Sequence, residues 1–99
     1  MKIPEDIYKQ IHEAWGEESQ LNMMTEEMGE LLQAMSKYRR ASNKTDKHKA
    51  LIHLCEEIAD VENMINQLRY MFDSDLIDKF KESKLKRILS ILKNERKRP

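Results

Sequence analysis

An all-α helical bundle is the fold class this sequence predicts, on three observations. Two glycines and two prolines in 99 residues cannot punctuate the many short strands of a sandwich or barrel. Leu, Met, Lys and Glu, all strong helix formers, supply much of the chain. Apolar residues also recur at spacings of three and four, the period of a helix with one buried stripe. The length allows one domain spanning residues 1–99. A chain this short buries only roughly 60% of its unfolded surface, so self-association is expected.

Four helical segments follow from the apolar spacing, giving an antiparallel bundle of about four helices. The first opens at Pro4, tolerated in a first helical turn, and sets Ile7, Ile11 and Ala14 or Trp15 on one stripe before Gly16 ends it. The second runs from Ser19, an N-cap residue type, to about Arg40, with Leu21, Met24, Met28, Leu31, Leu32, Met35 and Tyr38 as its apolar side. Residues 41–46, Ala-Ser-Asn-Lys-Thr-Asp, form the most polar break and read as a loop. A third helix spans about 47–72 and is expected to bury Leu51, Leu54, Ile58, Val61, Ile65, Leu68 and Phe72. Asp73-Ser74-Asp75 supplies a turn and a cap. The last helix, from about Leu76, carries Ile77, Phe80, Leu85, Ile88, Leu89 and Leu92.

A lone cysteine, Cys55, makes no internal disulfide, and Cys and His cannot be assembled into a four-ligand zinc set. The first ten residues lack the apolar run of a signal peptide, and no stretch approaches the roughly 18 apolar residues that span a bilayer. The expectation is a cytoplasmic protein with no membrane partner.

Formal neutrality, 18 basic against 18 acidic residues, conceals a two-ended chain. Residues 76–99 hold nine of the basic and three of the acidic residues, net +6, which leaves residues 1–75 at net −6. No Lys or Arg occurs between Lys9 and Lys37 or between Lys49 and Arg69, although Glu26, Glu27, Glu30, Glu57 and Asp60 lie in those stretches. Solvated helices ordinarily intersperse the two signs and gain i,i+4 pairs. Residues three apart share a helix face, so Glu27 with Glu30, and Glu57 with Asp60, each present two carboxylates in one direction. In an antiparallel hairpin turning near residues 43 and 44, position 27 meets a position close to 60, and 30 one close to 57. Four converging carboxylates without basic partners call for a hard cation with oxygen ligands; Mg²⁺ fits, and Mn²⁺ fits the same set.

The run Glu26-Glu27-Met28-Gly29-Glu30, then 26 intervening residues, then Glu57-Ile58-Ala59-Asp60, resembles the E-E-x-x-E … E-x-x-D signature of the MazG-like all-α nucleoside triphosphate pyrophosphohydrolases. Trp15-Gly16-Glu17-Glu18-Ser19-Gln20-Leu21 and Glu30-Leu31-Leu32 also resemble the short single-domain phage and bacterial members, so the likeness covers about residues 10–72. It implies Mg²⁺-dependent hydrolysis of a nucleoside triphosphate to the monophosphate and pyrophosphate, in a homodimer or dimer of dimers. Carried over, Glu27, Glu30, Glu57 and Asp60 are the metal ligands. Glu26, about 100° around the helix from Glu27, is a candidate for holding or deprotonating the attacking water.

Other residues have two readings each. Trp15 either stacks a nucleobase, with His12 nearby, or packs in the core. Lys37, with Arg39 and Arg40, either reaches phosphate or answers the helix dipole. Asn63, one i+3 step beyond Asp60, is a candidate contact to sugar or to water. Gly29 either permits a close approach or is a neutral choice, and His48 and His53 read as surface histidines. A di-iron carboxylate protein is excluded, since no Glu stands three residues before His12, His48 or His53. The remaining rival is a nonenzymatic helical interaction module that binds nucleic acid through the basic last helix; one short helix without base-reading residues argues against nucleic acid.

Overall fold

The computed structural model describes residues 1–98; Pro99 lies outside the described residues. Those residues are predominantly helical, with no strand among them. They form three helices, α1 Ile7–Arg40, α2 Lys44–Met71 and α3 Ser74–Arg96, where about four are expected. The difference lies at Gly16. Its backbone sits at φ 82°, ψ 167°, a region open essentially to glycine alone. The first helical stretch therefore ends at Gly16 and a second begins directly beyond it, so α1 is two helical stretches joined at a kink, and Ser19 lies within the second rather than capping it. A Cβ on Gly16 would meet nothing within 4 Å, so backbone conformation rather than space requires glycine there.

At its other end, α1 stops in a turn carrying Lys37, Arg39 and Arg40, cations placed where the helix dipole is negative. Ala41 turns to extended backbone, and the Lys47 ammonium donates to the Tyr38 carbonyl at 2.8 Å while lying 3.9 Å from the centre of the Tyr38 ring. One of the carbonyls left over at the helix end is thereby satisfied. Asn43 opens α2: its Oδ1 accepts from the Asp46 backbone N–H at 2.9 Å, and its Nδ2 donates to the Asp46 carboxylate at 2.8 Å. This reciprocal cap starts α2 three residues earlier than the polar break suggests. Asp73 caps α3 in the same manner, accepting from the Leu76 N–H at 3.0 Å.

α1 and α2 pack as an antiparallel hairpin. The segment before the kink leans on the far end of α2, where the Tyr8 hydroxyl donates to Asn63 Oδ1 at 3.1 Å and accepts from Asn66 Nδ2 at 3.0 Å. His12 meets Tyr70 edge to face at 5.6 Å. α3 touches the hairpin only near its own start, through Arg69 and Asp78, and none of its residues is buried. The radius of gyration is 18.0 Å, against about 13 Å for a compact chain of this size.

Burial departs from the expected stripes. The buried apolar residues are Met24, Ala34 and Met64, and Gln20, Glu57 and Gln67 are buried beside them. Leu54, Val61 and Leu68 are half-buried, but Leu51, Ile58, Ile65 and Phe72 are exposed, as are Met28, Leu32 and Met35 of α1 and Phe80, Leu85, Ile88, Leu89 and Leu92 of α3. Two helices facing each other can cover only the line where they touch. At 100° per residue, both exposed sets lie about a quarter-turn from that line. In an antiparallel pair these quarter-turns point the same way, so Met28, Leu32 and Met35 share one hairpin face with Leu51, Ile58, Ile65 and Phe72. No helix among the described residues is long and apolar enough to cross a membrane.

Candidate metal centre

The hairpin brings together Glu27 of α1 with Glu57 and Asp60 of α2; one carboxylate oxygen from each lies within 4.8 Å of the other two. Asp60 acts on the Glu27 carboxyl more strongly than Glu57 does, and Glu30 makes its side-chain contact with Glu57, so 27 stands beside 60 and 30 beside 57 across the helix pair. Glu30 stands beside this triad, exposed and close enough to Glu57 to form a hydrogen-bonding contact with it. Glu26 is exposed at the margin and adds its charge to the field at Glu27.

Electrostatics at this point are unfavourable to the carboxylates alone. Burial, and then the charges of Glu30, Asp60, Glu57 and Glu26, raise the Glu27 carboxyl above its ordinary value of 4.5. Burial raises Glu57 above the same value, followed by the charges of Glu30 and Asp60 and the contact with Glu30; His53 opposes them. His53, expected only as a surface histidine, therefore belongs to the site as well. Its Nε2 lies 4.0 Å from Glu57 Oε1, and the signal in the sequence was the i,i+4 spacing between them. Glu57 is 7% exposed, and among the described residues no donor reaches its Oε2 or the Oε2 of Glu27. Buried carboxylate oxygens without partners are costly to retain. Oxygen-only donors, clustered and unsatisfied, suit Mg²⁺ or Mn²⁺ in kind.

Other candidates are placed differently. Asn63 is committed to the Tyr8 hydroxyl. Trp15 is 60% exposed, so it does not form part of the core, and its ring is open to solvent near the kink. His12 is half-buried against Tyr70, with no partner for its Nδ1 among the described residues. Gly29 has open space where a Cβ would stand, which removes the close-approach reading within the chain itself. Lys37 lines an open groove of about 390 Å³ together with Arg40, Asp46, Lys49 and His53.

No protein-family model, curated protein or solved structure matches the chain.

Proposed function

We propose that the protein is a Mg²⁺-dependent nucleoside triphosphate pyrophosphohydrolase of the MazG-like kind, converting a ribo- or deoxyribonucleoside triphosphate to the monophosphate and pyrophosphate. The observation that carries this reading is the pair of unpartnered carboxylate oxygens on Glu27 and Glu57, gathered with Asp60 on a hairpin whose loop end is basic. Glu27, Glu57 and Asp60, with Glu30 alongside, would hold Mg²⁺ or Mn²⁺. When bound, the cation supplies the positive charge that joins this acidic face to phosphate oxygens and offsets the charge developing in phosphoryl transfer.

The chain's own groups divide the remaining work. Water attacks the α-phosphorus, its proton passes to a carboxylate at the margin, for which Glu26 is placed, and the bond to the bridging oxygen breaks so that pyrophosphate leaves. Lys37 draws phosphate toward the loop end, and the exposed Trp15 ring offers a stacking surface for the base, with His12 beside it. The exposed apolar face of the hairpin supports assembly as a homodimer or homotetramer.

The deciding experiment incubates folded protein with a panel of ribo- and deoxyribonucleoside triphosphates and Mg²⁺ and resolves the products. Pyrophosphate with the monophosphate is expected, and Glu57→Ala or Asp60→Ala should lower turnover at least about 100-fold, the scale of lost electrostatic stabilisation at a reacting phosphate. Orthophosphate release, or no turnover by intact protein, overturns the reading. A nonenzymatic interaction module is the second reading, favoured by the solvent-facing and basic α3; it predicts no metal-linked change in either Ala variant.

A further inference from the structure

The loop end of the hairpin carries a second feature on the same face as the carboxylates. At 100° per residue, positions seven apart return to nearly the same row. Lys37 thus stands in the row of Glu30, Lys49 in that of Glu56, and His53 in that of Asp60. The shared groove agrees with this arrangement, since Lys37 and Arg40 of α1 line it jointly with Lys49 and His53 of α2.

Three of these cations are uncommitted. Among the described residues, no ion pair includes Lys37, Arg40 or Lys49. Their neighbour Lys47 is held instead by the Tyr38 carbonyl. The one acid in the groove, Asp46, is tied to Asn43 on both its backbone and its carboxylate. Three uncommitted cations against one carboxylate leave the groove with an excess of positive charge, which begins at Lys49, eight residues from Glu57.

We propose that Lys37, Arg40 and Lys49 form a receptor for a pyrophosphate group, and that a triphosphate lies along the hairpin with its outer phosphates toward the loop at 41–43 and its nucleoside toward the kink at Gly16. This orientation rests on the triphosphate reading above. Lys49 stands eight residues of helix from Glu57, about 12 Å, Lys37 ten from Glu27, about 15 Å, and Arg40 thirteen from Glu27, about 20 Å, gaps that the long flexible stems of Lys and Arg shorten from one side. A guanidinium and two ammonium groups suit the two phosphates that carry most of the ligand's charge. The acidic midpoint repels those same oxygens wherever no cation intervenes.

The test titrates inorganic pyrophosphate, and separately a nucleoside monophosphate, into the full chain in excess Mg²⁺ by calorimetry. The Arg40→Gln, Lys49→Gln double variant is compared after circular dichroism has verified its fold. Expected is a loss of about tenfold or more in pyrophosphate affinity, the scale of a lost charge-assisted hydrogen bond, with monophosphate affinity unchanged. Equal affinity in both proteins, equal loss for both ligands, no pyrophosphate binding by the parent chain, or a single-stranded oligonucleotide that outcompetes pyrophosphate overturns the receptor. Pyrophosphate binding that depends on Arg40 and Lys49 without turnover of any nucleotide leaves the receptor standing and sinks the pyrophosphohydrolase.

Discussion

Glu57 concentrates the chemistry of the chain at the residue scale, since it is a charged side chain occupying a place in the hairpin seam that an aliphatic residue would ordinarily fill. Its carboxyl and that of Glu27 are raised above 4.5 in the folded protein, so the folded chain holds these protons more tightly than the unfolded chain does. Linkage then fixes the sign: metal-free stability is greatest below about pH 4.5 as far as these two groups are concerned, and falls as the pH rises through their folded values. Thermal melts should show this decline in the presence of a chelator, and Mg²⁺ at neutral pH should reverse it. Glu57→Gln, which removes the buried anion, should melt higher than the parent without metal and respond to Mg²⁺ much less. A parent chain whose melting is indifferent to Mg²⁺ would contradict the metal centre. The carboxylates were legible from sequence because their spacing and the missing bases are sequence properties. Which oxygens are left buried without a partner was not, because that depends on how closely α1 and α2 pack at Glu27 and Glu57.

At the scale of the element, α1 shows how one residue sets the course of 34. Gly16 places the short N-terminal arm across the end of α2, where Tyr8 and His12 find Asn63, Asn66 and Tyr70. Gly16→Ala should destabilise the protein by about 1–3 kcal/mol, the range for a side chain forced into this backbone region, and should loosen the arm as read by amide exchange at Ile11 and His12. Gly29→Ala has the opposite sign: regular helix with free space for a methyl gains about 0.5–1 kcal/mol. Equal effects of the two changes in chemical denaturation would refute this contrast. The break at Gly16 was visible in the sequence, and so was helix on both sides of it. What escaped was that the second stretch starts directly after Gly16, before Ser19, and that Asn63 would be taken by Tyr8, a partner 55 positions away.

For the whole molecule, the helical class was legible in the sequence and the distribution of burial was not. The apolar stripes read as core, whereas Ile58 and Ile65 are 40% and 41% exposed. Periodicity reports which face is apolar and is silent on whether that face meets its own chain or another. The proposed homo-oligomer closes it, and stability then depends on protein concentration. The melting temperature should rise with concentration, and sedimentation should give a dimer or tetramer. Ile58→Glu with Ile65→Glu should yield a monomer melting at a lower, concentration-independent temperature. A parent chain that sediments as a monomer at high concentration refutes the assembly.

The short loop at 41–43 has a consequence in time as well as in space. Residues beside it meet after closing only a few positions of chain, the carboxylates of Glu27 and Glu57 after 30, and Tyr8 with Asn63 after 55. Because the entropy of closure grows with the span enclosed, the hairpin should zip from the loop outward. The basic groove would form first, the acidic centre next, and the N-terminal arm last.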